Sequence, residues 1–213
     1  MFKNLIKAQN LIAKRVKLQK LNRQPCFIAG VDVAYAKEDA MGIGAGVVLS
    51  FPELVPVEKV IILKPVKFPY IPGFLSFREA PIMISVVRAF KKKVDLIFVD
   101  GQGIAHPRKA GVATHIGVIL KIPTIGCAKK PLLKDFVFPK DERGFAEAIV
   151  LNGEKVGWVL RTRKGVKPIF VSPGNLVSLE DALNFTLAVT RKYRLPEPIR
   201  LAHQLSVQAR KNY

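Results

Sequence analysis

Three carboxylates stand where they could build a metal-dependent catalytic site. Asp32 lies inside the apolar run CFIAGVDVAY, between Val31 and Val33. Asp100 ends the run LIFVD, and Glu79 follows the loop PYIPGF. Carboxylate oxygens are ligands that Mg²⁺ prefers, and a bound Mg²⁺ activates water for phosphodiester hydrolysis. These residue types therefore predict a magnesium site if the fold brings them together.

Two of the carboxylates also have a simpler explanation. Asp100 precedes Gly101, which is typical of a turn at the end of a strand. Glu79 would be favoured by the helix dipole in the first turn of a helix. Asp32 has no comparable structural reason, because a charge inside a buried strand is costly unless something binds it. Asp32 is therefore the strongest single indication of a site.

Four further side chains are candidates for contacts with a nucleic acid. Tyr70 lies in a loop stiffened by prolines, where it is either a wedge that fills the gap left by an extruded base or ordinary loop packing. His106, in AHPRKA, either contacts phosphate or base or belongs to a polar surface loop. Lys129 follows a predicted strand and is either beside a scissile phosphate or solvated. His203, on the last predicted helix, is either a catalyst or a packed or surface residue.

The elements that position these residues follow from hydrophobic periodicity. The predicted helices cover residues 2–21, 78–92, 109–121, 178–193 and 199–210. The predicted strands cover residues 26–35, 42–50, 58–68, 96–100, 122–128 and 168–174, with a hairpin over 146–162 that turns at Asn152-Gly153. This order favours an α/β fold of the ribonuclease H-like type, with a mixed central sheet of three antiparallel strands and then parallel strands, flanked by helices. No repeat or linker divides the chain, so we expect one domain over residues 1–213.

The charge balance points to a polyanionic partner. Lys and Arg number 35 against 16 Asp and Glu, which gives a formal net charge of +19. Such a field attracts nucleic acid, because neutralising phosphates releases counterions. Ribosome-type structural proteins and membrane-surface proteins are basic as well, so charge alone does not select among these classes.

Cysteine usage and hydropathy predict the compartment. Cys26 and Cys127 lie in apolar runs and form no C-x-x-C pair, which predicts buried free thiols in a reducing cytosol rather than a zinc site. The basic N-terminal segment has no apolar run of signal-peptide length, and no stretch is long enough for a transmembrane helix. We therefore expect a soluble cytoplasmic protein.

Six segments, in order along nearly the whole chain, resemble the endonuclease V family of DNA-repair nucleases. They are GVDVAY, FPYIPGFLSFRE, VDGQGIAHPRKAG, IPTIGCAK, PIFVSPGNL and PEPIRLAH. Several of these segments are long and specific. The family has a ribonuclease H-like fold, in agreement with the element order.

The resemblance implies a role for each candidate residue. Asp32, Asp100 and Glu79 would hold the catalytic Mg²⁺, with Mn²⁺ as a substitute, and complete a catalytic site with Lys129 and His203 near the scissile phosphate. The implied substrate-binding residues are Tyr70 as a wedge, its loop neighbours and the pocket residues, namely Pro69, Ile71, Pro72, Gly73, Gly101 and His106.

The resemblance also implies a reaction. The family hydrolyses the second phosphodiester bond on the 3′ side of a deaminated base, usually deoxyinosine, and leaves a 5′-phosphate and a 3′-hydroxyl. The implied partner is DNA containing deaminated bases, and we expect a monomer without a membrane partner. Uracil, abasic sites and inosine in RNA stay open as substrates. The segment AKKPL and the compact stretch 135–143 depart from the family pattern at the rim of the site, which bears on substrate range.

Two other functions are compatible with the residues. A non-catalytic nucleic-acid-binding protein would use the +19 charge, with Asp32 and Asp100 structural, and would tolerate EDTA. A different nuclease on the same fold would act on RNA–DNA hybrids or junctions. The segments PYIP and DGQG argue against that second alternative.

Overall fold

A computed structural model describes residues 2–36 and 40–212 and shows one eight-stranded sheet with helices on both faces. The helices are α1 (Phe2–Ala13), α2 (Leu75–Ala89), α3 (Val112–Leu120), α4 (Leu179–Ala188) and α5 (Glu197–Arg210). The strands are β1 (Phe27–Tyr35), β2 (Met41–Ser50), β3 (Pro56–Pro65), β4 (Leu96–Asp100), β5 (Thr124–Ala128), β6 (Ala146–Leu151), β7 (Glu154–Leu160) and β8 (Ile169–Asn175). Among the helices in the described ranges, none has the length and apolar character needed to cross a bilayer.

The sheet has the strand order β3-β2-β1-β4-β5-β8-β7-β6. The first three strands are antiparallel, and β1, β4 and β5 are parallel neighbours. This arrangement confirms the predicted mixed sheet. Strands β8, β7 and β6 extend it with antiparallel pairs, and the β6–β7 hairpin turns at Asn152 and Gly153, both with positive φ, as predicted.

The central strands are buried on both faces, which explains their near-continuous apolar sequence. On β1, Ile28 packs in the layer that includes α4 and α5. Ala29 and Val31 face the opposite layer, which includes α2 and α3. Because side chains alternate along a strand, Asp32 lies on the same face as Ile28, the face covered by α5.

Helix α2 begins at Leu75, three residues before the predicted start. Glu79 therefore lies in the second turn, so the explanation of this residue by a first-turn dipole is wrong. Pro81 lies inside the helix rather than in its first turn. The helix starts early because a tight turn at Pro72-Gly73 directly precedes it. This turn is closed by a hydrogen bond from the Phe74 N–H to the Ile71 carbonyl at 2.9 Å.

Three other sequence-based expectations also need correction. Helix α1 ends at Ala13 rather than at 21, because the following chain binds to β8, with the Lys17 N–H donating to Asn175 Oδ1 at 3.0 Å. Helix α4 ends at Ala188 rather than at 193, and the Val189 carbonyl accepts from the Glu197 N–H at 2.9 Å. Cys127 is buried as expected, but Cys26 is exposed because it precedes β1.

Candidate active site

Asp32, inside β1, and Asp100, at the end of β4, lie side by side on two neighbouring parallel strands. The register pairs Val31 of β1 with Val99 of β4, so the residues that follow them are adjacent. Asp32 is only 6% exposed. One ligand atom from each of Asp32, Asp100 and His203 lies within 4.8 Å of the other two. The fold thus brings together two of the three predicted carboxylates and the predicted histidine.

Helix α5 supplies two partners to Asp32. His203 Nδ1 donates to Asp32 Oδ2 at 3.1 Å, and Ser206 Oγ donates to the same oxygen at 2.6 Å. The hydrogen bond to Asp32 raises the pKa of His203 above its usual value. His203 is exposed, as the interpretation of it as a surface residue expected, but its hydrogen bond to Asp32 makes it part of this site.

The close approach of α5 to β1 depends on a glycine. A Cβ added to Gly30 would lie 2.0 Å from the Pro198 carbonyl oxygen and 2.8 Å from the Ile199 nitrogen. Real Cβ atoms do not come that near to backbone, so only glycine allows the start of α5 to lie on β1 at this point. Gly30 thereby sets the position of His203 and Ser206 relative to Asp32.

Glu79, on α2, lines the same cavity as Asp32 and Asp100. Its Oε1 accepts a hydrogen bond from the Tyr35 hydroxyl at 3.1 Å. Burial, with the charges of Asp32 and Asp100, raises the pKa of Glu79 to about 8. Its carboxylate is not part of the group within 4.8 Å, so the structure places Glu79 beside the predicted metal ligands rather than among them.

Lys129 pairs with Asp100. The residue directly follows β5, and its Nζ lies 2.6 Å from Asp100 Oδ2. Burial raises the pKa of Asp100, and the Asp32 charge adds to this shift. The interpretation of Lys129 as a solvated strand-end lysine is therefore wrong, whereas Lys130 is exposed.

These residues line a cavity of about 500 Å³, which we call the acidic cavity. Its carboxylates face one another, which is why burial and mutual repulsion raise the pKa of two of them. A divalent cation would relieve that repulsion, and two carboxylates with one imidazole are ligands that such a cation accepts. The residues present therefore fit a metal ion held by Asp32 and Asp100, with His203 within 4.8 Å of both carboxylates.

A second cavity of about 310 Å³, the loop cavity, shares its Leu75 and Gly101 wall with the acidic cavity. Its lining includes five of the predicted substrate-binding residues, namely Tyr70, Pro72, Gly73, Gly101 and His106. Pro69 and Ile71 belong to the same loop, residues 69–73, which we call the Tyr70 loop, but they do not line the cavity. Tyr70 itself is 66% exposed at the rim.

Two buried polar atoms in the loop cavity lack a hydrogen-bond partner in the described part of the chain. They are Ser76 Oγ and Gln102 Oε1. The Gln102 amide is oriented because its Nε2 donates to the Lys130 carbonyl at 2.9 Å. Buried polar atoms are normally bonded, and both residues line the loop cavity, so a polar ligand there would supply the missing partners if the two side chains turned toward it. Gln102 stands between the two glycines of the segment DGQG, whereas nothing in the sequence marks Ser76.

His106 is buried, so the interpretation of its segment as a polar surface loop is wrong. Its Nε2 donates to the Gly73 carbonyl at 3.1 Å, and its Nδ1 accepts from the Arg108 N–H at 3.1 Å. Burial, with the nearby Arg108 charge, lowers the pKa of His106 to about 4. The ring is therefore neutral at pH 7 and fastens the Tyr70 loop to the segment after β4.

Two hydrogen bonds in the site, Ser206 to Asp32 and Tyr35 to Glu79, were not predicted from the sequence, because they join distant parts of the chain. Ser206 and Asp32 are separated by 174 positions, and Tyr35 and Glu79 by 44. Serine and tyrosine are common in helices and strands, so their types carried no signal. For Ser206, the only available hint was its position three residues after His203, on the same face of an amphipathic helix.

Comparisons with known proteins agree with this geometry. The family model for endonuclease V matches residues 10–204. The endonuclease V of Geotalea uraniireducens (strain Rf4) is 44% identical over 209 residues, which cover 98% of this chain and 88% of that protein. The crystal structure of endonuclease V from Streptomyces avermitilis has a TM-score of 0.93 and 40% identity, covering 100% of this chain and 94% of that one. Ciona intestinalis endonuclease V, in a complex with a 24mer DNA containing an inosine followed by a ribo-adenosine, has a TM-score of 0.89 and 26% identity, covering 99% and 98%.

Proposed function

Because the chain belongs to the endonuclease V family of nucleases, we propose that it repairs DNA by hydrolysing the second phosphodiester bond 3′ to a deaminated base. The products are a 5′-phosphate and a 3′-hydroxyl, and the base stays attached. Deoxyinosine is the principal lesion. The cofactor is Mg²⁺, which Mn²⁺ can replace.

One observation carries this proposal: the acidic cavity and the loop cavity share a wall. A nucleotide whose base enters the loop cavity would place its 3′ phosphates beside the Gly101 and Leu75 wall, next to Asp32 and Asp100. Enzymes that act at a particular base extrude it from the stack into such a pocket. The exposed Tyr70 at the rim is placed to fill the gap in the duplex.

The loop cavity favours a base with both a donor and an acceptor on its polar edge. Gln102 Oε1 is an acceptor, and Ser76 Oγ either donates or accepts. Hypoxanthine offers an N–H and a carbonyl on its Watson–Crick edge, whereas adenine offers an acceptor nitrogen and an amino group. Both bases present one donor and one acceptor, but in opposite order along this edge, so a site whose partners are fixed in place discriminates between them by that order, because leaving a buried polar atom without a partner is costly.

For the hydrolysis step, Asp32 and Asp100 would hold the Mg²⁺, and Glu79 would complete the acidic site beside it. When bound, the cation neutralises charge that develops on the phosphate oxygens. Lys129, fixed against Asp100, adds a positive charge next to the phosphate. A water oxygen forms a bond to phosphorus as the bond from phosphorus to the 3′ oxygen breaks, and that oxygen takes up a proton.

His203 is suited to the proton transfers that this step requires. Asp32 accepts from its Nδ1, which orients the ring toward the acidic cavity. A carboxylate partner fixes the tautomer and supports the positive charge on the ring. His203 is therefore the general acid or base that exchanges protons with the water or the leaving oxygen.

The remaining expectations complete the proposal. Residues 1–213 form a single catalytic domain that acts as a monomer in the cytoplasm. Its partner is DNA that contains deaminated bases, and inosine in RNA, uracil and abasic sites are further substrates to be tested. The net charge of +19 supports a nucleic-acid partner of either kind.

Initial cleavage rates on matched duplexes test the proposed substrate. The four duplexes differ at one position, which carries deoxyinosine, deoxyadenosine, deoxyuridine or an abasic site, and a fifth substrate carries inosine in RNA. We expect Mg²⁺-dependent cleavage of the inosine duplex at least about 100-fold faster than that of the adenine duplex, as expected when a buried polar site loses its partner. Equal rates on both would contradict the proposal, and binding without cleavage would favour a non-catalytic binding protein.

A further inference from the structure

Helix α1 lies on the outside of the fold and has a single buried side chain. Of its residues Phe2–Ala13, all of which are described, only Gln9 is buried, with 0% exposure. Gln9 lies just before residues 10–204, which the family model matches. A buried amide on an otherwise exposed helix needs partners, since an unpaired polar group in the interior is costly.

The partners of Gln9 come from the Tyr70 loop and from the segment after β4. Its Nε2 donates to the Gly73 carbonyl at 2.9 Å, and its Oε1 accepts from Arg108 Nε. The Gly73 carbonyl also accepts from an Arg108 guanidinium nitrogen at 2.8 Å and from His106 Nε2 at 3.1 Å. One carbonyl of the Tyr70 loop therefore receives three donors from two other parts of the chain.

An aromatic contact joins the same elements. The Arg108 guanidinium lies 4.6 Å from the centroid of the Phe74 ring. The Phe2 ring at the start of α1 lies 5.9 Å from the Phe74 ring. Arg108 is thus directed at the loop and at α1, and α1 contacts the loop residue Gly73 through Gln9 and the next residue, Phe74, through Phe2.

These contacts fix the part of the loop that determines where Tyr70 projects. Gly73 has a φ of +78° and follows Pro72 in the turn that closes the loop. Proline and glycine define this turn, and the three donors hold its carbonyl in place. Tyr70 lies three residues before Gly73, so the backbone that carries its exposed ring is held in place. A side chain that enters a duplex gains from such preorganisation, because ordering costs are met before binding.

We propose that Gln9 is a positioning residue for lesion recognition. Through Gly73 and Arg108 it holds the Tyr70 loop in the conformation that enters the duplex, and α1 is the element that clamps this loop. The inference rests on the proposed function, since it assigns a role to Gln9 in the same reaction. It predicts that Gln9 acts through Tyr70 rather than through the stability of the fold.

A double-mutant cycle tests this prediction. The four proteins are the wild type, Gln9→Leu, Tyr70→Ala and the double variant, and the quantity measured is kcat/KM on the inosine duplex. We expect Gln9→Leu to lower kcat/KM about tenfold, as when a buried hydrogen-bonded pair is broken. In the Tyr70→Ala background the same change should have almost no effect, because the two residues act as one unit. A double variant that loses the product of the two single effects would overturn the proposal.

Two further variants separate positioning from folding. Asn10→Leu is the matched control, since it replaces an exposed amide on the same helix and should leave kcat/KM unchanged. Gln9→Glu keeps an acceptor for Arg108 but loses the donor to Gly73, so it should stay folded and still lose activity. A Gln9→Glu protein with wild-type kcat/KM would overturn the proposal.

Hydrogen–deuterium exchange gives a readout that does not depend on cleavage. In Gln9→Leu we expect faster exchange of the Phe74 amide and its loop neighbours, with no change in the amides of β1 and β4. Unchanged exchange in residues 69–74 would overturn the proposal. If the wild type does not cleave the inosine duplex, the proposed function fails, and the exchange result still decides whether Gln9 holds the loop.

Discussion

At the scale of single residues, the site consists of carboxyl groups whose orientation is set by hydrogen-bonding partners. Asp32 is oriented by Ser206 and His203, and Glu79 is oriented by Tyr35. Hydrogen bonds of this kind hold a ligand in the geometry that a metal ion requires. The partners are therefore as testable as the carboxylates themselves.

Ser206→Ala should weaken divalent-cation binding while the fold is kept. Ser206 Oγ donates to Asp32 Oδ2 at 2.6 Å, and losing a partner of this kind typically costs about 10–100-fold in metal affinity or activity. Isothermal titration with Mg²⁺ and the cleavage rate at saturating Mg²⁺ would measure both effects. Ser85→Ala, an alanine substitution of a serine on α2 that bonds to the Pro81 carbonyl, is the control. A Ser206→Ala protein that binds Mg²⁺ as tightly as the wild type would contradict the assigned role.

His106 should make the protein less stable as the pH falls. Its pKa in the folded state is about 4, whereas an unfolded histidine titrates near its ordinary value of about 6.5. Between these values the unfolded chain binds the proton and the folded chain does not, so the free energy of unfolding decreases as the pH is lowered. The loss from this group between pH 7.5 and pH 5 should be about 2 kcal/mol.

Urea unfolding of the wild type and of His106→Gln at both pH values isolates this contribution. The other two histidines are present in both proteins, so their effects cancel in the difference. The variant should lose about 2 kcal/mol less than the wild type over this range. An equal pH dependence in the two proteins would show that His106 is not buried as a neutral ring.

At the scale of elements, the site depends on how closely α5 approaches β1. Gly30 and Gly46 lie on adjacent strands and both contact a helix, but on opposite faces of the sheet. A Cβ at Gly30 would meet α5 backbone, whereas a Cβ at Gly46 would lie 2.5 Å from side-chain atoms of Phe90 and Val86. The two glycines therefore form a matched pair for testing the α5 contact.

Gly30→Ala should displace α5 and lower activity, while Gly46→Ala should lower stability alone. Overpacking at either position should cost about 1–3 kcal/mol of unfolding free energy. A shift of His203 and Ser206 by about 1 Å can cost on the order of 100-fold in rate. Urea unfolding and initial cleavage rates on the inosine duplex would measure both properties. Equal rate losses in the two variants would contradict a specific role for the α5 contact.

Sequence patterns predicted elements better than their boundaries and contacts. The order of the elements and the mixed sheet were predictable, because apolar runs and short connections constrain how strands pair. The start of α2 was not predictable. Proline is usual in the first turn of a helix, so Pro81 suggested a start near residue 78, whereas the helix begins at Leu75, directly after the Pro72-Gly73 turn. The burial of His106 and the contact of Gln9 with Gly73 depend on tertiary packing between distant segments, which periodicity does not report.

At the scale of the whole molecule, a strongly basic protein surrounds a small acidic centre. The net charge of +19 attracts the DNA backbone, whereas Asp32, Glu79 and Asp100 line one cavity, where burial and mutual repulsion raise the pKa of Asp100 and Glu79. A divalent cation would offset the repulsion between the carboxylates and the DNA phosphate, because it can bind both. The central claim is therefore that cation-dependent hydrolysis occurs next to a pocket that holds the lesion.

Strand mapping of the cleavage product tests this claim most directly. The substrate is an end-labelled duplex with a single deoxyinosine, incubated with the wild type in Mg²⁺, with the wild type in EDTA, and with Asp100→Asn in Mg²⁺. We predict one nick, at the second phosphodiester bond 3′ to the inosine, that forms only with the wild type in Mg²⁺. Cutting that persists in EDTA or in Asp100→Asn, or that is spread equally along an undamaged duplex, would contradict the account.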